Sequence, residues 1–374
     1  MSTGRLTVPF NDLYSQYRSI QSDIDRAISD VIRESAYIKG RFVSEFEKEF
    51  AEALGARFCV GCANGTDSLE MALKALGVGE GDEILVPANT WISTSEAVSA
   101  VGAKPVFVDI EPDYYTINTA LIEEKITSKT KAIIPVHLYG HPADMGAVQR
   151  IAKNQGLKVI EDCAQSHLAE FKGQKTGTIG EIGSFSFFPG KNLGCYGDGG
   201  AIVTSSAEYA EFMAKLGNHG RLGKFDHEFE GRNSRLDGLQ AAILSAKLPH
   251  LAEWTRKRQG IAKLYSELLQ DSAVKVPKIK DEVTHVFHLY VVEVKGRDRV
   301  RELLSAEGIE TGVHYPRALP FVKAYERLGH KPSDFPVAYA AMDKILSLPI
   351  YPEMSAEAVE YVSAKIKEAS EAAL

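Results

Sequence analysis

The sequence is poor in cysteine, with only four among 374 residues. A disulfide-stapled secreted fold is therefore excluded, because a scaffold of this length would need many more bridges. Cys59 and Cys62 spell Cys-x-x-C, but no second pair completes a zinc site, and residues three apart on a strand point to opposite faces. We interpret this pair, together with Cys163 and Cys195, as small packing residues, and we predict no metal site.

The chain also lacks an uninterrupted apolar run that could span a bilayer, and its N-terminus lacks the apolar segment of a signal peptide. Basic residues are not in excess: the net charge is −7, which argues against nucleic acid as the main partner. The hydrophobic content of 44% and charged content of 25% are ordinary for globular proteins. We therefore expect a soluble, cytoplasmic protein that binds neither nucleic acid nor a membrane.

Strand-like and helical stretches alternate between residues 58 and 162. Strands separated by helices indicate an α/β fold with a largely parallel sheet covered on both sides. Because 374 residues are many for a single core, we predict two domains. These are a large domain of residues 1–248, which includes the N-terminal helices, and a smaller domain of residues 249–374. The predicted strands are 58–61, 83–86, 105–110, 132–136 and 159–162, and the helices between them are 67–76, 93–101, 119–126 and 145–154.

The segment 183–204 reads as a strand, a glycine-dense turn and a second strand, with one lysine at the break. The neighbours of Lys191 are aromatic or small, so partial loss of hydration would favour the neutral amine that forms a Schiff base with a carbonyl. The turn glycines would let a flat ligand approach the main chain. A solvated lysine on an ordinary hairpin is the alternative. A P-loop is excluded, because Asn192 stands where Ser or Thr is required.

Two upstream segments favour the Schiff-base interpretation. Residues 157–162 read as a short buried strand that ends in Asp162, and Lys191 follows 29 residues later. Such a pair suits a pyridine cofactor, since the acid would keep the ring nitrogen protonated while the lysine holds the aldehyde. The turn 63–66 lies between the first strand and its helix, where free N–H groups and the helix dipole favour a phosphate. A routine N-cap is the alternative there.

These segments resemble the DegT/DnrJ/EryC1/StrS family of pyridoxal-phosphate-dependent sugar aminotransferases. The resemblance covers nearly the whole chain and keeps the order of the family's motifs. It implies the aspartate aminotransferase fold (fold type I), with a large domain on a mostly parallel mixed sheet and a smaller C-terminal α/β domain. The implied cofactor is pyridoxal 5'-phosphate on Lys191. The matching segments are residues 63–66, 161–165, 190–194 with 197–200, 233–237 and 314–316.

The resemblance also implies contacts to the cofactor phosphate. Gly65 and Thr66 would bind it from the turn before the first crossover helix, and Ser186 would add a second hydroxyl from the strand that leads to the lysine. Asn233 matches the family residue that reaches the cofactor phosphate of the neighbouring subunit. The expected assembly is therefore a homodimer with shared active sites.

Around the cofactor ring, the resemblance implies four further contacts. Trp91 would stack on one face, although a core tryptophan is the alternative, and the small Ala164 would leave room on the other face. Asp162 would hold the ring nitrogen, and Gln165 would hydrogen-bond the phenolic oxygen.

For the substrate, His314 and Tyr315 match a family motif near the entrance to the site. Arg221 belongs to a loop, residues 218–233, that is locally positive on an acidic protein. Such a loop could screen the diphosphate of a nucleotide sugar, and an ordinary solvated loop is an equally good interpretation.

The predicted reaction is transamination of a keto sugar linked to a nucleoside diphosphate, with glutamate as donor and 2-oxoglutarate as its product. The residues around Lys191, with residues 137–140, look like those of the members that form 3-amino sugars, which favours a 3-keto-6-deoxyhexose. In the related sugar dehydratases a histidine replaces this lysine. Three alternatives stay open: a 4-keto substrate, a regulatory homologue without turnover, and another reaction on an amino acid such as racemisation. The nucleotide and the sugar's stereochemistry also stay open.

Overall fold

The computed structural model describes residues 6–373, which form twelve α-helices and twelve β-strands joined by loops and short 3-10 turns. The helices are α1 (Leu13–Ser19), α2 (Gln21–Glu34), α3 (Arg41–Leu54), α4 (Gly65–Ala75), α5 (Ser93–Ala100), α6 (Met145–Gln155), α7 (Ala207–Leu216), α8 (Gly238–Lys247), α9 (Leu251–Leu269), α10 (Arg297–Ala306), α11 (Pro336–Ala341) and α12 (Ala356–Ala372). The strands are β1 (Phe58–Cys62), β2 (Glu83–Pro87), β3 (Lys104–Val108), β4 (Thr130–Ile133), β5 (Lys158–Asp162), β6 (Glu170–Phe171), β7 (Gln174–Lys175), β8 (Ile182–Ser186), β9 (Gly200–Thr204), β10 (Val283–Thr284), β11 (Tyr290–Glu293) and β12 (Ile345–Leu348).

A seven-stranded sheet in the order β1-β9-β8-β5-β4-β2-β3 forms the centre of the fold. The strands from β3 to β8 in this order are parallel to their neighbours, whereas β9 is antiparallel to both β8 and β1. The predicted α/β architecture with a mostly parallel mixed sheet is thus confirmed. Because β5 and β8 are adjacent, with Asp162 paired to Ser184, the strand that ends in the acid lies beside the strand that leads to Lys191.

Helices cover both faces of this sheet, as its apolar strands require. Side chains alternate along β8, so that Phe185 packs on Phe50 of α3 while Ser184 bonds Ser68 of α4 on the opposite face. On the α4 side, Met71 packs in one core cluster with Ile160 of β5. Both faces of the sheet are therefore packed beside the ends of β5 and β8.

A second core lies in the C-terminal part of the chain. Strands β11 and β12 pair antiparallel, and their apolar residues pack with α9, α10 and α12 in a cluster that includes Tyr265 and Val359. The division of the chain after residue 248 stays a prediction. No helix within residues 6–373 is both long and apolar enough to cross a membrane.

One local prediction was wrong. Residues 119–126 form two 3-10 turns rather than one helix, and the Asn118 side chain accepts the N–H of Ala120 at the first of them. Strand β11 begins only at Tyr290, because residues 285–289 before it turn back on the large sheet's loops and Phe287 has a φ of 44°. Helix α8 begins after Asp237.

Candidate active site

The turn between β8 and β9 carries Lys191 and is held from several sides. The Lys191 N–H donates to the Phe188 carbonyl at 2.8 Å. At Gly194 a Cβ atom would lie 2.3 Å from the Pro189 oxygen, so the turn closes only with glycine there. The buried ammonium of Lys247 donates to the Gly194 carbonyl at 2.7 Å. These bonds hold the backbone around Lys191 in one conformation.

Lys191 and Asp162 are electrostatic neighbours at this rim. Burial lowers the pKa of Lys191 to about 8, and the charge of Asp162 partly opposes this shift. Burial raises the pKa of Asp162, while hydrogen bonds from the Ala164 N–H (3.1 Å) and the Thr94 hydroxyl (2.8 Å) act against the rise. The structure thus brings together a partly desolvated amine and a buried acid, the pair that the sequence predicted.

A tight contact between α4 and β8 forms a polar cradle next to this pair. Gly65 opens α4, and a Cβ atom on it would lie 2.7 Å from the Cβ of Ser186, so only glycine permits this approach. The Thr66 hydroxyl lies 2.7 Å from that of Ser93, the first residue of α5. Two helix N-termini and the hydroxyls of Thr66 and Ser186 therefore meet in one place. This donor set fits a phosphate group, because helix N-termini and hydroxyls supply N–H and O–H donors to anions.

An aromatic wall borders the pair on the open side. The Trp91 ring is 57% exposed, and its centroid lies 5.6 Å from that of Tyr315. Gln165 is buried: its amide donates to the Tyr315 hydroxyl at 3.1 Å, and its carbonyl accepts the Tyr139 N–H at 2.6 Å. The His314 ring is 2.8 Å from the Ser347 hydroxyl, and the backbone carbonyl of His314 accepts a hydrogen bond from the Tyr139 hydroxyl. The predicted residues 91, 165, 314 and 315 thus form one connected surface.

Two predicted residues, Arg221 and Asn233, have their described bonds within the loop 218–233. The Arg221 guanidinium donates to carbonyls of its own loop, at Gly223 (3.0 Å) and Lys224. Asn233 is exposed and pairs with Asn218. Among residues 6–373, no described hydrogen bond or ion pair links either residue to the Lys191 turn. Both were predicted to act on bound ligands, and that role stays a prediction.

Sequence reasoning missed two residues that shape the site. Thr94 bonds Asp162 across 68 positions of sequence, and His288 approaches the Asn192 side chain at 3.2 Å across 96 positions. The charge on Lys191 adds to burial in lowering the pKa of His288. The only signal for Thr94 in the sequence was the hydroxyl-rich stretch around it. No signal in the sequence pointed to His288.

A buried cluster of His137, Glu161 and Cys163 places possible metal-ligand atoms within 4.8 Å of one another. Its donor atoms are already used by the protein. The His137 Nδ1 accepts the Ala143 N–H, so its Nε2 carries a proton and donates to Glu161 at 3.0 Å. The Glu161 carboxylate also accepts three backbone N–H groups from residues 177–180. We interpret the cluster as a hydrogen-bond network that stabilises β5 behind Asp162.

A family model and curated relatives match nearly the whole chain. The model of the DegT/DnrJ/EryC1/StrS aminotransferase family matches residues 18–367. The dTDP-3-amino-3,6-dideoxy-alpha-D-galactopyranose transaminase of Aneurinibacillus thermoaerophilus is 45% identical over 355 residues, which cover 95% of this chain and 97% of the relative. A pleiotropic regulatory protein of Geobacillus stearothermophilus is 44% identical over 366 residues, which cover 97% and 98%.

Solved structures share the whole fold. S. venezuelae DesV, in complex with a ketimine intermediate, superposes with a TM-score of 0.95 at 40% identity, over 98% of this chain and 99% of that one. NtdA from Bacillus subtilis, with bound cofactor PMP, superposes with a TM-score of 0.89 at 30% identity, over 99% of this chain and 87% of that one.

Proposed function

Because the chain belongs to the DegT/DnrJ/EryC1/StrS aminotransferase family, we propose that it transfers an amino group to the keto carbon of a nucleotide-linked sugar. The observation that carries this proposal is the pairing of Lys191 with buried Asp162 at the rim of the sheet. An amine with a pKa of about 8 is neutral often enough at physiological pH to act as a nucleophile and to carry a proton.

The cofactor is pyridoxal 5'-phosphate, which the PMP bound to the NtdA structure supports, since PMP is its aminated form. When bound, it supplies an aldehyde that condenses with amines and a ring that withdraws electrons from the condensed carbon. The residues present fit this group. Gly65, Thr66 and Ser186 would hold its phosphate, and Asp162 would hold a proton at its ring nitrogen.

Lys191 would act at the reacting carbon in two ways. Its Nζ would bind the cofactor aldehyde, and once an amino donor had taken its place, the same nitrogen would hold and move a proton. The turn bonds through Gly194 and Phe188 would keep the lysine backbone fixed while its side chain moved between these two roles. Ala164 would leave one ring face open, and Trp91 and Gln165 would contact the ring from the other face and from its edge.

The amination is proposed to occur at carbon 3, with glutamate as the donor. Support for carbon 3 comes from the relative at 45% identity, whose name specifies a 3-amino product. His314 and Tyr315 border the open side of the site and would contact the sugar nucleotide. Glutamate as donor and a cytoplasmic location stay predictions.

The assembly is proposed to be a homodimer in which each subunit completes the other's site. The exposure of Asn233 supports this, because neither Asn233 nor Arg221 has a described bond to the Lys191 turn of its own chain, and both could therefore contact a neighbouring subunit. In a dimer, Asn233 would reach the neighbour's cofactor phosphate and Arg221 the neighbour's substrate diphosphate.

The test is a panel of 3-keto and 4-keto nucleotide sugars with glutamate, followed by identification of the aminated carbon. We expect the purified protein to absorb in the visible range, glutamate to bleach the band, and a 3-amino sugar nucleotide to form. Lys191→Ala is expected to fold but to lose both half-reactions. Substantial turnover in that variant, or no amination of any panel member by the native protein, would contradict the proposal.

A regulatory role is the second candidate, since the relative at 44% identity is named as a regulatory protein. The same spectroscopic test separates the two. A bound cofactor whose absorbance does not respond to glutamate or to a keto acid favours regulation without turnover.

A further inference from the structure

We infer that Thr94 is a positioning residue for Asp162, and that its hydroxyl fixes and polarises the acid that acts on the cofactor ring. The chemical consequence rests on the proposed function, whereas the hydrogen bond itself does not. Thr94 is the second residue of α5 and is fully buried. Thr94 follows β2, whereas Asp162 ends β5, so the two residues come into contact only when these separate parts of the chain fold together.

Two donors fix the orientation of the carboxylate. The Thr94 hydroxyl lies 2.8 Å from one oxygen of Asp162, and the Ala164 N–H lies 3.1 Å from the other. With one donor on each oxygen, rotation about the Cβ–Cγ bond would break both bonds. The remaining acceptor directions of the two oxygens are then fixed relative to β5.

The direction of the Thr94 bond follows from the chemistry of an ionised acid, which can only accept. The single hydroxyl proton of Thr94 must therefore go to Asp162. Thr90 has its hydroxyl 3.1 Å from that of Thr94, so Thr90 must donate to Thr94. The result is a chain of two buried hydroxyls, both polarised toward the carboxylate.

The two hydroxyls of Thr90 and Thr94 reduce the free-energy cost of burying the charged Asp162 carboxylate. Burial favours the neutral acid, and the carboxylate is favoured by the Ala164 N–H, the Thr94 hydroxyl and the charge of Lys191. The other titratable groups near it are the Cys163 thiol and the Tyr315 phenol. Of these contributions, the Thr94 hydroxyl can be removed without changing a charge, the backbone or the side-chain volume.

The experiment compares Thr94→Val, which removes the hydroxyl, with Thr94→Ser, which keeps it. Ser95→Ala is the matched control, because Ser95 is the next residue of α5 and its hydroxyl bonds Ile92 and Tyr325, not Asp162. In the holoenzyme, the ¹⁵N chemical shift of the labelled cofactor's ring nitrogen reports its protonation. Steady-state kinetics with glutamate and a 3-keto nucleotide sugar give kcat and KM separately.

We expect Thr94→Val to move the ¹⁵N shift toward the unprotonated value and to lower kcat about tenfold, the equivalent of one pKa unit, with KM for the sugar nucleotide changed less than about twofold. Thr94→Ser and Ser95→Ala should keep the native ¹⁵N shift. If Thr94→Val did not fold, Thr94→Ala would replace it. A native ¹⁵N shift and native kcat in the hydroxyl-free variant would overturn the inference.

A second readout separates this inference from the proposed function. In cofactor-free protein, the ¹³C shift of the Asp162 carboxyl carbon can be titrated against pH. Thr94→Val should raise the midpoint by about one pH unit, and Thr94→Ser should not. If the native protein bound no cofactor, the proposed function would fail while this titration still decided the role of Thr94; an unchanged midpoint would overturn it.

Discussion

Lys191 illustrates how a single residue obtains its reactivity from its surroundings. Its amine reacts with an aldehyde only when neutral, and burial lowers its pKa from an ordinary value of 10.5 to about 8. We therefore predict that uptake of pyridoxal phosphate by the cofactor-free protein becomes about tenfold faster per pH unit below pH 8 and levels off above it. Stopped-flow absorbance at several pH values measures this profile.

Asp162→Asn supplies the control for the cause of that profile. The charge of Asp162 raises the pKa of Lys191 against the effect of burial. Its removal should lower the pKa further, so the rate should level off at a lower pH than in the native protein. Lys191→Ala should show no covalent uptake. A native profile that rises until about pH 10.5 would contradict the prediction, because this is the behaviour of a solvated lysine.

The residues that sequence reasoning found differ in kind from those that it missed. Lys191 and Asp162 each stand at the end of a strand pattern, so local sequence placed both at the rim of the sheet. Thr94 and His288 act through partners 68 and 96 positions away. Such contacts depend on the order of strands in the sheet and on how the C-terminal segments fold back, which a local pattern does not encode.

At the scale of elements, replacing a glycine by alanine should have opposite effects on stability in two helices, α9 and α4. Gly260 is an exposed residue inside α9, where a Cβ atom would meet nothing within 4 Å. Alanine loses less backbone entropy than glycine when a helix forms. Gly260→Ala should therefore raise the free energy of unfolding by about 0.5–1 kcal/mol, measured by urea denaturation.

Gly65→Ala is the counterpart. Its Cβ would lie 2.7 Å from the Cβ of Ser186, so α4 would have to move away from β8. We expect lower stability and weaker binding of the cofactor, while Gly260→Ala should bind it with native affinity. Equal cofactor affinities in the two variants would show that the close approach of α4 to β8 does not matter for the phosphate.

Elements of regular period could be predicted, and those fixed by tertiary contacts could not. The predicted strands from 58–61 to 159–162 match β1 to β5, because buried runs bounded by helices have a clear period. Within residues 285–289, Val286, Phe287 and Leu289 are apolar and give the segment the appearance of a strand. In the structure the Val286 N–H bonds the Gly140 carbonyl, and this contact with a distant loop ends the strand pattern there.

At the scale of the whole molecule, the C-terminal sequence contributes to both cores. Leu319, Tyr325 and Phe335 pack in the same cluster as Ile84 and Ile160 of the large sheet, whereas α9 and α12 build the second core. His314 and Tyr315 lie between these parts, which explains how residues so far along the chain reach the Lys191 rim. The amino-acid composition did not indicate that the C-terminal segment packs in both cores. Its residue types do not change at the point where the segment leaves one core and enters the other.

If the two subunits of the proposed homodimer share their active sites, two different defective variants should complement each other in a mixed dimer. If Asn233 reaches the cofactor phosphate of the neighbouring subunit, Asn233→Asp would place a negative charge beside that phosphate and weaken cofactor binding there. A Lys191→Ala subunit has an intact Asn233, and an Asn233→Asp subunit has an intact Lys191. When the two pair, one of their sites combines both defects and the other is fully native.

Mixing the two defective variants should therefore restore activity that each lacks alone. Purification by two different tags retains only mixed dimers, and each of these has one native site of two, so about half of the native activity per dimer should return. The measurement is turnover after the subunits are co-expressed and purified by two different tags. Pairing Lys191→Ala with Asp162→Asn is the matched control, because both residues lie on the same side of the shared site within one chain, so each site of that mixed dimer keeps one defect. Recovery in both mixtures, or in neither, would show that Asn233 does not serve the partner's site.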